Sequence, residues 1–300
     1  MSDPANMPDT EARLPGGSEL HRLSSQALVE RMAIQEARAV RAVADAAGAI
    51  GNVIDALSPR FARGGRLIYA GAGTSGRLGL LDAVEQYPTF GVAPGRVLAL
   101  LAGGEEALLR AVEGAEDDRD GARARLLALE LTPDDTLIGI AASGRTPWVL
   151  GALEVARTFK ALTVGLTCVP GSPVATEAEL AIELDTGPEL ISGSTRLKAG
   201  TATKLALNAI STGTMVRLGK THGDLMVDVR VTNEKLAERA RRILATLTGL
   251  DGDAADALLE RCGGEVKTAV VVERLGIDPD DAREQLEAVG GHLRDALGED

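Results

Sequence analysis

The sequence predicts an α/β protein: a doubly wound parallel sheet of five strands, with helices before it and a small helical bundle after it. Three observations carry that prediction. Short apolar runs alternate with helical patterns between residues 66 and 218, the signature of a parallel sheet covered on both faces. Gly makes up 35 of 300 residues, against a usual ~7%, so tight turns and close backbone approaches are expected. From Asn233 onward the pattern is helical to the end.

Residues 1–17 are polar, with Pro4, Pro8 and Pro15, and read as a loose arm. Residues 18–57 have helical periodicity, with Leu23, Leu28, Met32, Ile34, Val40 and Val43 as inward candidates and Ser24 or Ser25 as a cap. Two helices are expected there, broken at residues 48–51, and Pro59 with Gly64–Gly65 closes the region. Strands are then expected at 66–72, 96–101, 135–142, 161–168 and 180–184. Helices are expected at 105–113, 122–130, 147–160 and 197–218, and in the bundle at 236–247, 251–262, 265–275 and 278–289. The helix at 236 is entered through Thr232 or Asn233. This gives three regions: an arm with helices over 1–58, the sheet domain over 59–222, and a helical region over 223–300.

The charge balance, 32 − 44 = −12, repels nucleic acid and anionic membranes. Aromatics are 2%, so base stacking has few candidate rings. Cys168 and Cys262, and His21, His222 and His292, fall in no metal spacing. No basic, then apolar leader opens the chain, and no apolar run reaches membrane length. A cytoplasmic protein without nucleic-acid or membrane partners is expected.

The most informative stretch is GAGTSGR at residues 71–77, read as strand, glycine turn and helix start. Such a turn aims backbone N–H groups and the helix dipole at an anion. Thr74 and Ser75 add hydroxyls and Arg77 adds charge. The loop lacks the P-loop lysine and the dinucleotide spacing, so a phosphomonoester is the fitting ligand. A second such loop follows the third strand: Ser143, Gly144, Arg145 and Thr146, with Pro147 opening a helix. A third polar run, Ser192 to Lys198, includes Ser194, Thr195 and Lys198 and precedes the long helix. General-base candidates near these loops are Asp82, Glu85, Glu105, Glu106, Glu113, Glu116, Asp117 and Asp118. Composition does not choose among them.

Six stretches taken together resemble the N-acetylmuramic acid 6-phosphate etherases. They are TEARLPGGSELHRLSSQALVERM, GAGTSGRLGLLDAVEQYPTFG, AGGEEALLRAVEGAEDD, ASGRTPWVLGAL, ELISGSTRLKAGTATKLALNAIST and LGKTHGDLMVDVRVTNEKLAERARRI. Trp148 and Asp224 stand where the family pattern has tyrosine and asparagine. The resemblance implies a sugar isomerase (SIS) fold and a homodimer. It implies cleavage of the lactyl ether of a 6-phosphosugar in amino sugar recycling, with no metal or organic cofactor. By the same resemblance Glu85 matches the family's proton-donating acid/base glutamate and Glu116 its second catalytic glutamate. The ten-residue gap between Ser75 and Glu85 leaves two arrangements, a helix that ends early so that the 86–91 loop folds back, or a site shared between two chains, and the second is favoured. A phosphosugar isomerase and a non-catalytic sugar-phosphate sensor are the alternatives on this fold.

Overall fold

A computed structural model describes residues 9–228 and 234–299. Residues 1–8, and the expected entry to a helix at Thr232 or Asn233, lie outside the described residues. The chain divides into two compact units, Met1–Ala83 with Gly95–Ser211, and Val84–Pro94 with Thr212–Asp300.

The first unit opens with α1 (Ser25–Asp45) and α2 (Ala47–Ala62). The Ser24 hydroxyl caps α1 by accepting from Ala27 N at 3.2 Å. The break between the helices falls at Ala46 rather than at residues 48–51, and Gly48 and Gly51 lie inside α2. Pro59 is also inside α2, in its last turn. The inward stripe of α1 carries buried Ala39 and Ala42 with half-buried Leu28, Met32 and Val43, as expected for those three, while Ile34, at 72% exposed, and Val40 face outward. Ala39 and Ala42 let α1 approach closely at that point of the stripe.

The sheet follows, as expected from the sequence: β1 (Leu67–Gly71), β2 (Val97–Leu101), β3 (Thr136–Ala141), β4 (Leu162–Thr167) and β5 (Leu180–Glu183). Between them run α3 (Gly73–Phe90), α4 (Glu106–Leu109), α5 (Arg123–Ala128), α6 (Pro147–Thr158) and α7 (Pro173–Glu177). The strand order is β2-β1-β3-β4-β5, and every pair is parallel. β1, β3 and β4 are buried throughout, which is why they read as unbroken apolar runs rather than alternating ones. Ile68, Leu137, Trp148, Val149 and Leu153 belong to one buried cluster that joins the sheet to α6. Each such aliphatic side chain contributes about 1.5–3 kcal/mol. α8 (Lys198–Arg217) follows, its residues to Ser211 belonging to the first unit and the rest to the second. β1 pairs with both β2 and β3, so the winding reverses between β1 and β3. In open α/β sheets, ligands bind outside the carboxyl ends of the strands at such a switch point.

The second unit holds a short hairpin, β6 (Thr221–His222) with β7 (Leu225–Met226), turned at Gly223 with φ +57°. The helices α9 (Glu234–Thr248), α10 (Gly252–Arg261), α11 (Val266–Leu275), α12 (Pro279–Ala288) and α13 (Leu293–Leu297) follow. Leu236, Ile243, Leu258, Val270, Val271 and Leu293 are among the side chains of its own core. Asp278 caps α12 by accepting from Asp280 N and Asp281 N. The hairpin and α13 are too short to stand out in the sequence. Among the described residues no helix is long and apolar enough to cross a membrane.

Candidate active site

The first glycine loop joins β1 to α3. A Cβ on Gly71 would lie 2.7 Å from Gly76 N, and one on Gly76 would lie 2.6 Å from Gly71 O. Strand end and helix start touch backbone to backbone, which dictates the glycine spacing. The first helical bond is Gly76 N to Ala72 O at 3.3 Å. The N–H groups of Gly73, Thr74 and Ser75 precede it and have no partner within the helix. With the half-buried hydroxyls of Thr74 and Ser75 beside them, they form a donor set at the positive end of α3. Arg77 departs from its expected role. Its guanidinium donates to Leu108 O and Arg110 O, both at 3.4 Å, so it steadies the chain beyond β2 instead of extending this donor set.

The second loop joins β3 to α6, on the adjacent strand. Gly144 has φ +66°, and a Cβ there would lie 1.9 Å from Ser172 Oγ and 2.6 Å from Thr167 Oγ1. Its carbonyl accepts from Val174 N at 2.9 Å, and Ser172 donates to Thr167 Oγ1. The start of α7 therefore shapes this loop. Ser143 and Thr146 remain half-buried at its rim. The Trp148 N–H in the first turn of α6 donates to Glu116 O at 3.0 Å. The structure thus seats the Glu116 backbone at the second loop, with its side chain exposed.

The third run approaches the first loop at its helical end: a Cβ on Gly200 would lie 3.7 Å from Thr74 Cγ2. The leading donors of α8 are already occupied. Glu189, buried, accepts from Lys198 N at 3.1 Å and Ala199 N at 2.8 Å. Lys198 departs from the sequence reading for a related reason. It is 1% exposed, and its ammonium donates to Pro188 O at 2.6 Å and to Gln35 Oε1 at 3.5 Å. Burial pushes the Lys198 ammonium below its ordinary range and raises the Glu189 carboxyl. The two hold the entrance of α8 and tie it to α1. Ser194 and Thr195 stay half-buried and carry the hydroxyls of this run. The arm is tied down from Asp9 onward, contrary to its loose reading. Thr10 O accepts from Gly193 N at 3.0 Å, and Ser192 donates to Glu11 O at 2.7 Å.

Glu85 lies exposed on α3, which continues through Pro88 to Phe90. Asp82, one turn earlier, is no open base. Its carboxylate is buried and accepts from Tyr69 OH at 2.7 Å, Asn208 Nδ2 at 2.7 Å and Ser211 Oγ at 2.9 Å. Burial raises it. The sequence reading missed Glu189, Thr167 and Ser172. Only Ser172, which precedes Pro173 at a helix start, carries a readable capping signal. A cavity of about 610 Å³ opens in the second unit, lined by Lys220, Asp228, Lys267 and Arg283 among others. Its lysines are held by Asp228, and Lys267 also donates to Gly291 O. That network fastens the helices and leaves the switch point as the better site.

Residues 49–157 match the N-terminal SIS domain of glucokinase regulatory protein, and residues 112–212 match the SIS domain. The chain is similar to a Deinococcus radiodurans protein named N-acetylmuramic acid 6-phosphate etherase. The two are 52% identical over 299 residues, covering 100% of this chain and 97% of the relative. A Rubrobacter xylanophilus protein of the same name is 53% identical over 290 residues, covering 97% and 96%. Among solved structures, a phosphoheptose isomerase from Francisella tularensis superposes with a TM-score of 0.50 at 18% identity. It covers 65% of this chain and 100% of that one, a likeness of fold.

Proposed function

Since this chain belongs to the N-acetylmuramic acid 6-phosphate etherase family, we propose that it cleaves the lactyl ether of N-acetylmuramic acid 6-phosphate with water. The products are N-acetylglucosamine 6-phosphate and D-lactate, in amino sugar recycling. The observation that carries this reading is a likeness of 52% identity across the whole chain. A switch-point site of hydroxyl-bearing loops, with a carboxylate segment beside them, supports it.

The phosphate is held by the α3 N–H groups with Thr74 and Ser75, and by Ser143, Thr146, Ser194 and Thr195. The Gly144 turn shapes the second loop around it. Opening the sugar ring frees an aldehyde at C1 and makes the C2 proton removable. A glutamate takes that proton, the C3–O bond breaks as a C2–C3 double bond forms, and the departing lactate oxygen takes a proton from an acid. Water then adds at C3 and C2 regains a proton, so one water is consumed per ether cleaved. Glu85 is the proton donor and Glu116 the second carboxylate, each step of a kind worth about 10² to 10⁴-fold.

We also infer a homodimer whose sites are shared. Leu81, Val84 and Tyr87 are exposed apolar side chains on the helix that bears Glu85, a surface suited to a second copy. We place the reaction in the cytoplasm, where a phosphate ester formed inside the cell is too polar to leave through the bilayer.

The test is a D-lactate assay on N-acetylmuramic acid 6-phosphate. Wild type releases lactate, whereas Glu85→Gln and Glu116→Gln fold and bind the sugar but lose release. Aldose–ketose conversion without lactate would favour a phosphosugar isomerase. Binding without any turnover would favour a sensor.

A further inference from the structure

Glu116 lies on a stretch without regular secondary structure, between the end of α4 at Leu109 and the start of α5 at Arg123. Such a stretch does not fix a carboxylate by itself. What fixes it is the helix it lies on. Trp148, Gly151 and Glu154 are spaced i, i+3, i+6 on α6 and so share one stripe of that helix. Each meets the Glu116 segment. Trp148 N donates to Glu116 O at 3.0 Å, and a Cβ on Gly121 would lie 3.0 Å from the Trp148 indole. A Cβ on Gly151 would lie 1.8 Å from Arg119 O, so here the segment rests directly on the helix backbone. The Arg119 guanidinium reaches Glu154 at 3.3 Å and Glu177 at 3.6 Å.

We infer that this stripe of α6 is the seat that sets where the Glu116 carboxyl group stands, with Gly151 as the principal positioning residue. The inference rests on the reading of Glu116 as a catalytic group. Gly151 touches neither sugar nor phosphate and acts only through the segment it supports. A methyl group at 151 cannot coexist with Arg119 O at its present place. The segment must lift by roughly 1 Å, and a displacement of that size costs on the order of 10²-fold in rate. The phosphate loops are built from other residues, so affinity for the phosphosugar is retained.

The experiment is a kinetic cycle on the whole enzyme. Gly151→Ala should keep the wild-type far-ultraviolet spectrum, lower kcat about 10²-fold, and leave KM for N-acetylmuramic acid 6-phosphate nearly unchanged. In a Glu116→Gln background, where the residual rate is read at high enzyme concentration, the same change should have almost no further effect. Arg119→Met loosens the segment without overpacking the helix. It should show the same split in milder form, and it carries the test if Gly151→Ala fails to fold. Equal losses in both backgrounds, or a raised KM at constant kcat, would overturn the positioning role while leaving Glu116 catalytic. Near-normal turnover by Glu116→Gln alone would instead remove Glu116 from the chemistry, and this role for Gly151 with it.

Discussion

Asp135 sits just before β3, at the end of the sheet opposite the candidate site. Its carboxylate accepts from Arg66 N at 2.7 Å, Arg66 Nε at 3.0 Å, Arg66 Nη2 at 2.7 Å and Thr132 N at 2.7 Å. Burial alone would raise this carboxyl, but the Arg66 guanidinium and the two backbone N–H groups outweigh it and hold it below the usual carboxylate range. The unfolded group titrates near ~3.9. The stabilisation is therefore present above that pH and is lost as pH falls through the lower folded value. Asp135→Asn should cost about 3 kcal/mol at neutral pH, the low end for a broken buried pair because Arg66 can regain water. It should also flatten the acid limb of a urea-midpoint-against-pH curve. An unchanged acid limb would mean that other carboxylates control acid unfolding. The Asp135 and Arg66 pairing could not be read from the sequence, since the partners are 69 residues apart and belong to strands that only the topology makes neighbours. Arg77 and Lys198 teach the same lesson at the site. Their residue types suit an anion, but the carbonyls that hold them come from distant turns.

α3 and α8 both begin at the switch point, and they use their first turns differently. α3 leaves its leading N–H groups unclaimed by the helix, whereas α8 gives its own to Glu189. Two substitutions separate these uses. If Ser75 donates to the phosphate as proposed, Ser75→Ala removes a hydrogen bond to a charged group, worth about 1.5–3 kcal/mol, so KM should rise tenfold or more with a smaller change in kcat. Lys198→Met removes a buried ammonium beside Glu189, so it should destabilise by about 3 kcal/mol while KM stays within a few-fold. A large KM increase in a stable Lys198→Met protein would return that lysine to the phosphate site. Legibility followed element length and burial. β1, β3 and β4 could be read because runs such as Leu137 to Ala141 are buried on both faces, the half-buried β2 and β5 because their short apolar runs alternate with helical patterns, and the two glycine loops because their spacing is set by backbone contact within one turn. The inward face of α1 could be read only in part: Leu28, Met32 and Val43 were legible, but Ala39 and Ala42 carry little hydrophobic signal beside the exposed Ile34 and Val40. The seat of Glu116 could not be read, since Trp148 meets it through the backbone.

At the scale of the whole molecule the question is whether the proposed proton donor Glu85 would serve its own chain or a second copy. α3 is unbroken from Gly73 to Phe90, so the ten residues from Ser75 to Glu85 span about 15 Å at 1.5 Å per residue. A hexose phosphate bound at Ser75 is too short to present its reacting carbons to a carboxylate that far along the same helix. The alternative, a helix that stops early and a loop that folds back, does not fit a helix that runs on through Pro88. A second copy, docked on the exposed Leu81, Val84 and Tyr87, would bring its own Glu85 to this phosphate, and a two-fold axis would make the exchange mutual. Subunit mixing tests this. A Glu85→Gln chain keeps its phosphate loop, and a Ser75→Ala chain keeps its glutamate; each homodimer is impaired at substrate concentrations well below KM. In a heterodimer purified through two different tags, one site would combine the intact Ser75 of one chain with the intact Glu85 of the other. The heterodimer should then recover about half the wild-type rate per dimer. If both residues serve the same chain, every site in the heterodimer carries a lesion, and the rate stays at the average of the two parents. That outcome would rule out the shared site and require α3 to bend on binding substrate.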